Sequence, residues 1–358
     1  KLIASLGPEI RSAALVEAAR GTGDPDFERL CYEYMPIYFS RRHGDPSRPW
    51  NRFSIRLKGP DGGRSLWYEG NWRDIFQNWE ALSMSFPGFL PNVVAKFVNA
   101  STADGFNPYR ITRDGIDWEV VRPDDPWSYI GYWGDHQIVY LLKFLEETRR
   151  FHPGALENLL EREIFCFADV PYRLKPYADI LADPRSTIVY DIDLASAIED
   201  RVKSSGTDGK LVRRGDGTFL RVNLLEKLLI SALSKLSNFV PGGGIWMNTQ
   251  RPEWNDANNA LAGYGLSVVT LCHLRRYLRF LEELLRGLGD REISISAEVA
   301  QWFRRLRMIL EEKRPLRASD DTADGERKEL LDEAGGAFSD YRGKVYSSGF
   351  SGAEVLSV

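Results

Sequence analysis

The chain has 358 residues, 43% of them hydrophobic and 27% charged, with 51 acidic and 47 basic side chains for a net charge of −4. That is enough apolar sequence for a sizeable core in one large domain or two, and it excludes a disordered chain. The near-balance of charge, without a basic stripe, argues against a nucleic-acid partner.

Three cysteines, Cys31, Cys166 and Cys272, lie far apart with no CxxC pair. A disulfide framework and a cysteine zinc site are therefore not expected. Only four histidines occur, so a polyhistidine metal site is not expected either, and no metal is assigned. No apolar run reaches the ~18 residues of a membrane span. The first twenty residues are broken by Pro8, Glu9 and Arg11, unlike a signal peptide. The expected setting is cytoplasmic, away from membranes. The chain opens on Lys1 rather than Met, as a processed product or a piece of a longer protein would.

In chain order, helical spacing predicts a helix over 26–41. Alternation around the turn Gly59-Pro60-Asp61-Gly62-Gly63 predicts a small β hairpin over 52–68. Helices are expected over 74–85 and 91–100, then a long loop over 101–134, a length that is usually functional in a compact domain. A helix is expected over 135–149. Residues 161–220 carry little periodic signal beyond a short helix at 194–201. Strong leucine rhythms predict helices over 222–236 and 266–285. The same rhythm predicts a helix over 295–310, and a further helix is expected over 325–341. The fold class is mainly α, made of helical hairpins with long loops at one end.

Ten tryptophans stand out, seven of them between positions 50 and 133. Trp offers a broad apolar face and one N–H donor, which suits stacking against a sugar ring. Taken singly, each is more often a core residue. At least three of Trp72, Trp118, Trp127, Trp133, Trp246 and Trp254 are expected to line one cleft, partly exposed.

Two loop-to-helix junctions concentrate carboxylates, amides, Arg and Trp. They are Tyr68–Asn78 and Asn248–Asn259. Asp and Asn there are also good helix N-caps. A cap, however, does not need a flanking Trp and a second carboxylate three residues earlier. Glu253 and Asp256 at that spacing can push their pKa values apart and keep one member protonated. A protonated carboxyl is what glycosidic-bond cleavage requires.

WRDIFQN at 72–78 resembles the G-[FY]-R-D-x-x-Q-D motif of inverting glycoside phosphorylases of the cellobiose and chitobiose phosphorylase type. RPEWNDANNALAGYG at 251–265 resembles their catalytic GDWNDGMN motif. Trp133-Gly134-Asp135-His136-Gln137 resembles the acidic turn that opens their next core helix, and the three blocks stand in the family's order. The resemblance implies a six-hairpin (α/α) toroid over residues 1–358, incomplete in this chain and a fragment of a longer protein. It implies a β-linked disaccharide or oligosaccharide as substrate and inorganic phosphate as co-substrate, with no cofactor. Asp256 matches the general acid, with Glu253 beside it. Trp254 matches the Trp of the sugar subsite. Asp74 matches the carboxylate that accepts from the non-reducing sugar. Trp72, Arg73, Gln77, Asp135 and His136 complete the expected binding set.

The chain departs from the family at Glu253, Ala257, Asn258 and Asn78. After Asp256 it carries none of the family's His- and Gly-Thr-containing phosphate blocks. An inverting hydrolase on the same fold is therefore one alternative. It would need a second carboxylate ~6.5–9.5 Å away, with Glu69, Glu119 and Asp135 as candidates. A non-catalytic carbohydrate-binding or scaffold protein is another. A homo-oligomer, or a second chain completing the barrel, would supply what the toroid lacks.

Overall fold

The computed structural model describes residues 6–7, 9–36, 58–124, 131–132, 137–249, 263–314 and 323–357. The chain is mainly α-helical, with small antiparallel β elements between the helices. Helix α1 spans Ser12–Arg20 and α2 spans Pro25–Glu33. Asp24 caps α2 by accepting from the backbone N–H groups of Asp26 and Phe27, and Pro25 occupies its first turn, where a missing N–H costs nothing. The expected helix to residue 41 stops at Glu33. Pro36 disfavours helical backbone at Met35, and Tyr34 is already extended. Of the expected hairpin, the turn is present: Lys58 bridges Arg64, and Gly59 N–H donates to Gly63 O at 2.8 Å. The rest, 52–57, lies outside the described residues.

Strand β1 (Glu69–Asn71) leads directly into α3 (Trp72–Ser85). It pairs with β2 (Arg110–Thr112), which turns back into β3 (Gly115–Asp117). The expected loop over 101–134 therefore contains two strands. Helix α4 (Leu90–Asn99) has every residue buried but Pro91. Helix α5 spans Gln137–Phe151.

Residues 161–220 form short strand pairs and two further helices. Strand β4 (Phe165–Cys166) pairs with the later β7 (Arg221–Val222). Between them, β5 (Tyr172–Leu174) pairs with β6 (Ile188–Tyr190) around α6 (Tyr177–Ala182), and α7 (Ile192–Ser205) follows.

Helix α8 (Leu224–Leu236) sits at the centre and buries almost all its side chains. After it come β8 (Phe239–Val240), β9 (Gly244–Trp246) and β10 (Leu266–Ser267) as one small sheet. Helix α9 (Val268–Arg286) is capped by Ser267, whose side chain accepts from Thr270 N–H. Strand β11 (Glu292–Ser296) precedes α10 (Ala297–Glu312), α11 covers Asp324–Ser348, and β12 (Ala353–Ser357) returns to pair with β11.

Side-chain contacts fix the helix directions. Glu146 meets Arg276, and Arg149 meets Phe280 and Glu283, so α5 and α9 run parallel. Tyr277 donates to Leu228 O at 3.0 Å while Thr270 lies beside Lys235, so α8 and α9 are antiparallel. Ser296 donates to Glu226 and Trp302 to Ser237, which makes α8 and α10 parallel. Asp340 meets Arg305 and Lys344 meets Gln301, so α10 and α11 are antiparallel. The C-terminus of α8 and the N-termini of α5 and α9 consequently share one end.

The core also holds charge. Lys227 is buried, donates to Ser101 O at 3.1 Å and Cys166 O at 2.8 Å, and lies 3.8 Å from the Phe167 ring centroid. Burial pushes its pKa well below the ordinary lysine value, and burial lowers that of Lys96 too. Between the depressed and the ordinary value, the unfolded chain binds more protons than the folded one. The contribution of these lysines to stability should therefore rise with pH across that window. Urea unfolding between pH 7 and about 9.5 isolates this contribution as the difference in slope between wild type and a Lys227 variant, because the raised thiols of Cys31 and Cys166 act with the opposite sign in the same window. Lys227→Met should make the slope less positive than wild type, by at most about 1.4 kcal/mol per pH unit. An unchanged slope in the variant would contradict this account.

Candidate functional site

The site is built where helix ends meet. At the start of α3, Trp72 N–H donates to Tyr109 O at 3.0 Å, which anchors the helix to the segment Phe106–Tyr109. Arg73 places Nε (3.0 Å) and Nη2 (2.9 Å) on the same oxygen of Asp74, Oδ1. Asp74 is only 8% exposed, so the pair is held largely out of water. Gln77, one turn on, faces solvent, and Asn78 donates back to Asp74 O at 2.7 Å.

The same tetrapeptide reaches α5 and α8. Asn107 Oδ1 accepts from Gln137 Nε2 at 2.5 Å. Gln137 Oε1 in turn accepts from Lys235 Nζ at 2.8 Å, and that ammonium lies 4.3 Å from the Phe106 ring centroid. Just before this segment, Gly105 has φ +86°, and a Cβ there would sit 2.8 Å from Ile230 O and from Ser234. Glycine is therefore required for the loop to lie against α8.

Lys235 lines a recess with Phe106, Asn238, Trp246, Asn248 and Thr249. Asn248 donates to Asn238 Oδ1 at 2.7 Å, and Asn238 donates to Ser234 O at 2.9 Å. Trp246 Nε1 donates to Gly263 O at 2.8 Å.

Described residues in or beside the three sequence blocks thus lie near one another. Trp72 opens the first block, Gln137 closes the second, and Asn248–Thr249 lead into the third. Phe106–Tyr109 touches Trp72, Gln137 and Lys235. The catalytic candidates Asp256 and Glu253 lie outside the described residues. So do Trp254, Asp135 and His136, and the tryptophans at 127 and 133.

One expected binding residue is placed elsewhere. Trp72 is fully buried, with its ring 5.1 Å from Phe76 and 4.6 Å from Phe97, so it presents no face to a ligand. The reason is helical period: Trp72, Ile75, Phe76 and Trp79 form one stripe that packs into the core. Trp118 and Trp246 are also buried, at 9% and 8% exposure, and Trp118 lies beneath Lys210 at 4.9 Å. Among the described members of the expected tryptophan set, Trp246 alone lines the recess.

Lys235 and Asn107 were not singled out by sequence reasoning, whereas Asn248 opened the second loop-to-helix junction. Gln137 sat within a recognised block, and Asn107 lay in the expected loop over 101–134. Among the described residues no cluster of His, Cys, Asp and Glu suits a metal ion, and no helix is long and apolar enough to cross a membrane. No protein-family model matches the chain, and no curated protein matches it.

Proposed function

We propose that this chain is a carbohydrate-active enzyme of the six-hairpin type that cleaves a β-glycosidic bond by phosphorolysis with inversion. The observation that carries the reading is the convergence on Phe106–Tyr109. Two blocks far apart in sequence touch it through Trp72 and Gln137, and Asn248–Thr249, which lead into the third, line one recess with Phe106. The alternation of parallel and antiparallel helices is what a toroid of helical hairpins needs, and it supports the same reading.

In this mechanism Asp256 protonates the leaving glycosidic oxygen while phosphate attacks the anomeric carbon from the opposite face. The C–O bond to the leaving sugar breaks as the C–O bond to phosphate forms, giving an α-glycosyl phosphate from a β-glycoside. Asp74 orients the sugar. Both of its hydrogen bonds from Arg73 fall on Oδ1, so Oδ2 is the oxygen that can accept from a sugar hydroxyl.

The test is incubation with β-linked glucose and N-acetylglucosamine disaccharides, with and without inorganic phosphate, followed by NMR of the products. Phosphate-dependent release of an α-glycosyl phosphate is expected. Release of the free α-sugar without phosphate would select the inverting hydrolase, and no turnover on any β-glycoside would sink the enzymatic reading. Asp74→Asn should raise KM or lower kcat/KM by about 10-fold or more, since it removes a charge-assisted acceptor. Steady-state kinetics on the active disaccharide checks it.

A further inference from the structure

We propose that a pocket at the C-terminal end of α3 binds a small uncharged phenol, a single aromatic ring bearing one hydroxyl. The pocket lies away from the Asp74 block. Ser83, which lines it, follows Asp74 by nine residues on the same helix, about 13 Å along the axis. The proposal therefore does not depend on the carbohydrate reading.

Hydrogen bonds fix the corner that builds the pocket. Helix α3 ends at Ser85, a 3-10 turn covers Pro87–Phe89, and α4 begins at Leu90. Phe86 N–H donates to Leu82 O at 3.0 Å, and Phe89 N–H donates to Phe86 O at 3.2 Å. His152, just past the end of α5, places Nε2 2.7 Å from Pro87 O. On the other side, Asn92 Nδ2 donates to Cys31 O at 3.3 Å and to Tyr34 O at 3.4 Å, which holds the end of α2 against α4. The walls are thus in place before a ligand arrives, and binding has little chain to order.

The space they enclose is about 190 Å3. An apolar cavity of about 150 Å3 already accepts benzene, so one substituted ring fits. Trp79, Phe86 and Phe89 supply aromatic walls, and Met35, Leu82 and Val93 supply aliphatic ones. Phe86 lines the pocket while 59% exposed, which marks the mouth. No charged side chain occurs among the described lining residues, so an entering ion would shed hydration without gaining a counter-charge.

One hydroxyl interrupts this apolar lining. Ser83 is only 5% exposed, and its side chain makes no hydrogen bond among those of the described residues. A water beside it would find one side-chain partner, where a buried water typically makes about three hydrogen bonds. A phenol meets both demands. Its ring fills the space and packs on the aromatic walls, and its hydroxyl pairs with Ser83 Oγ, which can donate or accept. A sugar does not fit the same lining, because most of its hydroxyls would be buried unpaired.

The experiment is calorimetric titration of the full chain with 4-methylphenol, toluene and benzoate, using wild type, Ser83→Ala and Ser83→Phe, with melting temperatures measured alongside. Wild type should bind 4-methylphenol saturably, one per chain. It should bind toluene more weakly, by up to about 10-fold, the worth of one hydrogen bond. Benzoate should not bind. Ser83→Ala should bring 4-methylphenol down to the toluene affinity and leave toluene unchanged. Ser83→Phe fills the space and should abolish both. If Ser83→Phe fails to fold, Ser83→Ala decides. A folded wild type that binds no 4-methylphenol, toluene bound as tightly as the phenol, or a Ser83→Ala variant that binds the phenol as wild type does, overturns the proposal. Glycoside cleavage without phenol binding would leave the enzyme reading standing and remove this one. Phenol binding without turnover on any glycoside would do the reverse.

Discussion

Asp256→Asn is expected to lower glycoside cleavage by about 10²–10⁴-fold, the span that a positioned general acid contributes. The amide keeps the size and polarity of the side chain and removes the proton that the leaving oxygen needs. Sugar binding and melting temperature should stay near wild type. The assignment carries an internal demand. Asp256 precedes an apolar stretch, and a helix N-terminus favours the charged carboxylate by about 0.3–1 kcal/mol, under one pKa unit. On the proposed reading, repulsion from Glu253 and desolvation by Trp254 would have to outweigh this, and a neighbouring carboxylate in a partly dry cleft can shift a pKa further than that. Cleavage measured against pH should therefore show an alkaline limb above the ordinary aspartate range. Loss of that limb in Glu253→Gln, with activity retained, would show the coupling. Unfolding of Asp256→Asn with no change in residual specific activity would mark a structural residue instead.

Trp72→Ala is expected to destabilise the fold by about 3–5 kcal/mol, the range for truncating a large buried aromatic. Its ring fills the space between Phe76 and Phe97, and α3 has no other side chain of that volume at its first position. Trp72→Phe should recover part of the loss. Urea unfolding gives both values. A sugar platform would behave differently: the alanine variant would keep its stability and lose affinity for the saccharide. That outcome would contradict the burial.

Concentration of Trp between 50 and 133 suggested ligand faces, whereas the 3.6-residue period at 72, 75, 76 and 79 pointed to the core, and the period prevailed. The long apolar rhythms were legible because each repeats over several turns. Leu271, Leu274, Leu278, Leu281 and Leu285 mark α9 almost to its ends, and Ser267 supplies its cap. Residues 161–220 were not legible, since β4 to β7 are two or three residues long and too short for any period to register. Helix α7 showed only its middle. Ile293 and Ile295 alternate with polar residues as a strand should, but Ile295 also fits the helical rhythm of Val299 and Trp302, and β11 was merged into α10. Its partner β12 lies more than fifty residues on, beyond any local signal.

The candidate site divides in the same way. Arg73 and Asp74 could be grouped from the sequence because they are adjacent, and the structure shows them bonded to each other. Lys235 was not readable, because a lysine in a helix ordinarily points to water. The approach of Phe106, Gln137 and Gly105, distant in sequence, helps make it a buried group. Asn107 likewise gains its meaning from Gln137, thirty residues away.

The central claim is that the Asp74 block and the Asp256 block face one sugar. A crystal structure of the Asp256→Asn variant with an uncleaved β-linked disaccharide measures this directly. The account predicts one sugar ring with a hydroxyl on Asp74 Oδ2 and its glycosidic oxygen within hydrogen-bond reach of the side chain at position 256. A disaccharide bound away from both residues, or the two side chains at opposite ends of the helices, would contradict it.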